Sequence, residues 1–356
     1  MKELSLIETL SNAFGVSGYE DEVKDIIYKE LENYELEIIK DNLGSIIFKS
    51  KGMEQDTKKI LITAHIDEVG FITERITPDG LIKFLPIGGW FEQTLLSQRV
   101  IIKNNKGDKL NGMILSIPKH FLTDDKKHKP LGIADMFIDI GATSRAEVED
   151  DFQITPGCPI VPDSTFTQLS ENRFMGKALD DRLGVAILIQ ILKEFSELPH
   201  KYDIYGAFTV QEEVGARGAT TVANLIKPDI ALILEAAPSD DIPGIPSSPL
   251  QGVLGNGCQI RLYDPTMLVN PKLAKSIINI AEEENIEYQI AVRRSGGTDG
   301  KQIHISNYGV PTIVLGVPSR SIHSHNSIAD INDYYSTLKL AINFINQIND
   351  DFIESL

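Results

Sequence analysis

The chemistry available to this chain sits in a few short segments. VQEEVGARGA (210–219) sets Glu212 beside Glu213. AHIDEVGF (64–71) carries His65 and Asp67, and GKALDDRLG (176–184) carries Asp180 and Asp181. Glu235 follows the apolar run DIALIL (229–234), and VPSRSIHSHNS (317–327) brings His323 and His325. Each feature alone has an ordinary explanation: a packed histidine, acids favoured by a helix dipole, or a solvated loop. Together, imidazoles and carboxylates are the ligand set for zinc, cobalt or manganese. Two histidines and three carboxylates exceed what one tetrahedral ion that keeps a water can use. They suffice for two ions sharing a bridging carboxylate, about 3.5–4 Å apart. Such a centre generates hydroxide at neutral pH, and a glutamate beside it can take the proton. On an extended segment Glu212 and Glu213 would point to opposite sides. The chain must therefore turn there, and Gly215 and Gly218 suit a turn.

These residues need elements that bring them to one place. Residues 59–64 form a short, nearly all-apolar run, the pattern of a strand buried on both faces. Runs at 203–210, 229–234 and 310–316 look alike, and helical periodicity marks 3–14, 20–33, 183–195, 219–226 and 271–285. Strands alternating with helices predict an α/β fold with a mixed, largely parallel central sheet flanked by helices. In open α/β sheets ligands bind outside the carboxyl ends of strands. His65, Asp67, Glu212, Glu213, Glu235 and His323 all fall at such ends. Ser17 and Glu20, three apart, predict a capping box for the helix at 20–33. Residues 70–165 have short strand-like pieces and turns such as TPDG (77–80) and NKGD (105–108). They predict a smaller β-barrel-like domain inserted into an α/β domain made of 1–69 and 166–356. The polar stretch 118–130, with His120 and His128, reads as an exposed loop.

Composition narrows the partners. There are 51 acidic against 34 basic residues, a net charge of −17. Such a chain repels nucleic acid and anionic membrane surfaces, so neither is expected as a partner. The balance of 42% hydrophobic and 24% charged residues is that of a globular protein. Cys158 and Cys258 form no CxxC pair, which argues against a disulfide framework and against a cysteine zinc site. No signal-peptide pattern and no run of about 18 apolar residues is read, so a cytoplasmic location is expected.

AHIDEVGF, GKALDDRLG, VQEEVGARGA, GGTDG (296–300) and IHS (322–324), in this order and at these spacings, resemble the glutamyl and deblocking aminopeptidases. This is the family of tetrahedral (TET) aminopeptidases, some of which carry the label cellulase M or endoglucanase. The resemblance runs over nearly the whole chain. It implies a fold like that of the zinc peptidases and phosphorylases, and hydrolysis of N-terminal residues from short peptides. It implies two divalent ions per subunit, zinc or cobalt, with manganese a third option. His65 and Glu235 would hold one ion, Glu213 and His323 the other, and Asp180 would bridge them. Glu212 would be the general base, and Asp67 would orient the His65 imidazole. The resemblance further implies a cis peptide between Asp180 and Asp181. It also implies that the inserted domain builds homodimers that assemble into a hollow dodecamer.

Two departures stand out. Many relatives have Asp where this chain has Glu235, and many place a Glu three residues after the metal-binding His-Ser, which HSHNS lacks. His325 is extra. Residues 296–299 read as a tight turn, which the resemblance puts beside the substrate pocket. Arg293, Arg294 and Arg320 are candidates for favouring an acidic N-terminal residue, while Lys177 and Arg217 suit capping, salt bridges or substrate binding. A metal-dependent carboxypeptidase or deacylase on the same fold is the nearest rival. An endoglucanase needs two metal-free carboxylates about 5–9.5 Å apart and aromatic platforms for sugars, and Trp90 is the single tryptophan. A non-catalytic protein with a decayed site is the third alternative.

Overall fold

The computed structural model describes residues 2–54, 57–121, 123–124, 129–245 and 249–356. The four apolar runs become the centre of a mixed sheet. Strands Asp203–Thr209, Lys59–His65, Ile230–Pro238 and Thr312–Arg320 lie side by side in that order and run parallel. Antiparallel strands flank them: Ile46–Ser50 beside Asp203–Thr209, and Ser327–Asp330 followed by Arg173–Gly176 beyond Thr312–Arg320. Among the described residues this sheet has twelve strands. Parallel strands bury both faces, which is why these runs are continuously apolar rather than alternating.

Helix Leu179–Glu197, buried along most of its length, packs on strands Lys59–His65 and Ile230–Pro238. It also packs on helices Lys2–Asn12 and Ile331–Gln347. Each fully buried Ile or Leu of this core, such as Ile62, Ile187 and Leu232, contributes roughly 1.5–3 kcal/mol. A second unit closes on itself. Strands Gly70–Ile76, Ile82–Ile87, Phe137–Asp139, Lys109–Leu115, Arg99–Lys103 and Pro159–Pro162 form a closed antiparallel barrel around Phe71, Phe84, Ile102, Ile114 and Ile138. Closure leaves the barrel no unpaired strand edge. Phe14, Val16 and Val161 pack the N-terminal segment against it.

Two local expectations fail for physical reasons. The strand predicted at 229–234 continues to Pro238, because its parallel ladder with Thr312–Arg320 persists as far as Pro238 opposite Ser319. Glu235 therefore lies within a strand, opposite Gly316, rather than after one. The capping box is also absent. Glu20 makes no side-chain cap bond to helix Asp21–Leu31, and its carboxylate accepts from the Gly18 amide at 2.7 Å. The Ser17 hydroxyl donates instead to Asp67 Oδ2, 2.6 Å away. A carboxylate acceptor makes the stronger hydrogen bond. In the polar stretch, His120 is exposed, while His128 lies outside the described residues.

Candidate active site

Among the described residues, two groups could each hold a metal ion: His65, Asp180 and Glu235, and Asp180, Glu213 and His323. Asp180 belongs to both. Its Oδ1 lies 3.2 Å from His65 Nε2 and its Oδ2 lies 3.2 Å from His323 Nε2. Glu235 Oε1 stands 3.4 Å from the first imidazole, and Glu213 Oε2 stands 3.4 Å from the second. His65 ends its strand, Glu235 lies inside the neighbouring strand, and His323 sits in the loop after Thr312–Arg320. Asp180 and Asp181 depart from helical geometry and their peptide is cis. The two acids divide the work. Asp180 faces the histidines, and Asp181 Oδ1 accepts from the Gly184 amide at 3.0 Å, capping the helix that follows.

The Glu212–Glu213 segment turns sharply. Gln211 has φ +57°, Gly215 φ +121° and Ala216 φ +52°. Gly218 donates its amide to the Val210 carbonyl, and a Cβ there would lie 2.5 Å from that oxygen. The position therefore demands glycine. The Asp67 carboxylate fixes the turn. Its Oδ1 accepts from the Glu212 amide at 2.9 Å, and its Oδ2 accepts from the Glu213 amide at 3.2 Å. His65 Nδ1 is 3.1 Å from the Asp67 backbone carbonyl and 3.6 Å from its carboxylate. The imidazole is thus held mainly by the Asp67 backbone. Glu212 belongs to neither group, and its carboxyl faces the charges of His65, Glu235 and Asp299.

The electrostatics point to cations. Burial pushes Glu213 up to about 8 and Glu235 up to about 7, and raises Glu212 well above the usual range. Burial alone would lower both imidazoles. The carboxylates around them reverse this, raising His65 well above its ordinary value and His323 to about 9. Without a metal ion, this cluster of acids and imidazoles is satisfied by holding protons. Glu213 Oε1 and Glu235 Oε1 are buried and make no hydrogen bond, the latter having the His65 ring 3.4 Å away as an ion-pair contact. Orphaned carboxylate oxygens, paired imidazoles and a shared aspartate suit divalent ions.

The sequence profile described as M42 glutamyl aminopeptidase matches residues 44–340. The chain belongs to this family. M42 peptidases are metal-dependent aminopeptidases. The chain is 36% identical to the putative aminopeptidase FrvX of Escherichia coli, over 96% of this chain and 94% of that one. It superposes on a TET aminopeptidase from a marine sediment Thaumarchaeota archaeon with a TM-score of 0.96 at 39% identity, covering 99% and 98% of the two chains. It also superposes on the Pyrococcus horikoshii TET1 peptidase, which can assemble into a tetrahedron or a large octahedral shell. There the TM-score is 0.85 at 29% identity, covering 97% of this chain and 100% of that one.

Several parts of this M42 site carry no local sequence signal. Lys177 is buried and donates to Glu68 at 2.6 Å and to the Ala13 carbonyl at 2.6 Å, so it is an internal brace. Arg182 Nη1 donates to the Leu10 carbonyl at 2.6 Å, and Arg182 Nη2 lies 3.6 Å from Glu68. The barrel also reaches the site: the Gly89 carbonyl accepts from His323 Nδ1 at 3.1 Å. Of the three candidate arginines, Arg293 is bound to Asp240 and the Pro238 carbonyl, and Arg320 grips Asp241 with two donors. Arg294 is exposed, and exposed Arg217 donates to Gln211. His325 is buried beside Trp90 and away from both ligand groups. Trp90 itself stacks on Phe71 and donates to the Gly70 carbonyl. It is not the open platform that a sugar needs.

Proposed function

We propose that this M42 aminopeptidase removes N-terminal residues from short peptides at a two-ion centre. His65 and Glu235 would hold one ion, Glu213 and His323 the other, with Asp180 between them. The observation that carries this reading is the division of Asp180, one oxygen at 3.2 Å from each histidine. Zinc or cobalt suits the mixed imidazole and carboxylate set best, and manganese next. Bound there, divalent ions lower the pKa of a coordinated water toward about 7 and polarise the scissile carbonyl. The protein's own part is proton traffic and aim. The Glu212 carboxylate takes the proton of the attacking water and returns it to the nitrogen of the leaving amine. Asp67 fixes the turn that presents Glu212 and holds His65 through its backbone carbonyl.

Residues 1–69 and 166–356 form the catalytic domain in this reading, and 70–165 the domain that joins homodimers into a dodecamer. The likeness to the TET1 peptidase supports that assembly, and light scattering of the purified protein measures it. Both cysteines are free and buried, which suits the reducing cytoplasm in which we place the enzyme. The decisive experiment combines metal analysis with a panel of aminoacyl p-nitroanilides and short peptides. Each is assayed with EDTA, zinc, cobalt or manganese. Metal-dependent release of N-terminal residues is expected. Release only from blocked amines or free C-termini would establish the deacylase or carboxypeptidase instead.

A further inference from the structure

Ser17 stands outside the ligand set, yet it is joined to the turn that carries both glutamates. It is buried, 7% exposed. Its segment is pinned: the Glu68 amide donates to the Gly15 carbonyl at 2.9 Å, and the Gly15 amide donates to Glu68 Oε1 at 3.1 Å. From this fixed position the Ser17 hydroxyl donates to Asp67 Oδ2 at 2.6 Å. That carboxylate is the same one that accepts the Glu212 and Glu213 amides. The terminal torsion of an aspartate is broad and roughly two-fold. A carboxylate held by two neighbouring amides, with the His65 ring 3.6 Å away, can still swing with their turn. A third donor, from a segment far away in sequence, removes that freedom.

We infer that Ser17 is a positioning residue for catalysis: it locks the Asp67 carboxylate, and through it aims Glu212 at the reacting water. This inference rests on the reading of Glu212 as general base. Ser17 belongs to neither candidate ligand group, and its hydroxyl is spent on Asp67. Its loss should therefore lower the rate of the chemical step and spare substrate binding. Side chains that orient catalytic groups from behind typically cost 10- to 100-fold when removed.

The experiment compares Ser17→Ala, Ser17→Thr and Glu212→Gln, each as full-length, metal-loaded enzyme. The readouts are kcat, KM, bound metal and unfolding temperature. Ser17→Ala is expected to lose roughly 10- to 100-fold in kcat with KM and metal content unchanged. Ser17→Thr, which keeps the hydroxyl, is expected to recover to within about threefold of the parent. A parent-like kcat in Ser17→Ala beside an inactive Glu212→Gln overturns the inference and leaves the base reading standing. So does a loss that Ser17→Thr shares while unfolding at the parent temperature. Normal turnover by Glu212→Gln overturns the base reading, and the inference with it.

Discussion

The two halves of the proposed ion centre are built differently. The inner half draws His65 and Glu235 from strands in the middle of the sheet, and the His65 side chain is 2% exposed. The outer half draws Glu213 from a turn and His323 from a loop, and the His323 side chain is 37% exposed. His323 also carries φ +56° and leans on the Gly89 carbonyl of the barrel. Groups set on strands are held more tightly than groups set on loops. The inner half is therefore the fixed reference, and the outer half depends on a turn, a loop and a second domain. Among the described residues, Asp180 is the one side chain that both halves share.

The largest test of this contrast removes the shared residue. Asp180→Asn is expected to lose both ions and all detectable activity, read by metal analysis and peptide assay. Retention of one full equivalent of tightly bound metal would show that the halves are independent. Next comes Glu212→Gln, which should keep both ions and lose roughly 10²–10⁴-fold in rate. Gly89→Ala comes third. A Cβ there would lie 3.3 Å from His323 Nδ1, disturbing the hydrogen bond that orients the ring. The outer ion should bind about 10- to 100-fold more weakly while the inner ion is unchanged. Calorimetric titration of the apoprotein resolves the two, and equal weakening of both ions would erase the distinction. The smallest effect belongs to Arg217→Ala, an exposed residue beside the turn. Its stability should move by less than about 0.5 kcal/mol and its rate should hold, as thermal unfolding and kinetics will show.

The acids and histidines that meet in the structure were readable because their types are unusual at the ends of apolar runs. His65, Asp180, Glu213, Glu235 and His323 each stand beside a strand or helix signal. The mixed sheet with its parallel centre, and the barrel, followed from the same runs and their turns. What the sequence hid is long-range. Ser17 meets Asp67 across 50 positions, Lys177 meets Glu68 across 109, and His323 meets Gly89 across 234. No local periodicity marks such pairs. The misplaced capping box shows the reason: the local partner expected for Ser17 was Glu20, which precedes helix Asp21–Leu31, and the serine hydroxyl bonds a distant carboxylate instead. The extent of strand Ile230–Pro238 was hidden likewise, since its last residues are held by a neighbouring ladder rather than by their own apolarity.

In the proposed two-ion centre, the carboxylate oxygens of Glu213 and Glu235 that find no hydrogen bond would make metal supply a matter of protein lifetime. A ligand that binds only the folded chain stabilises it by about 2.7 kcal/mol when present at a hundredfold excess over its Kd. Under starvation for the ion that stabilisation disappears. Copies lacking metal then open more often, and a shift of that size changes steady-state abundance several-fold through proteolysis. The same buried acids that ready the enzyme for chemistry would thus let a cell discard those molecules that never received their ions.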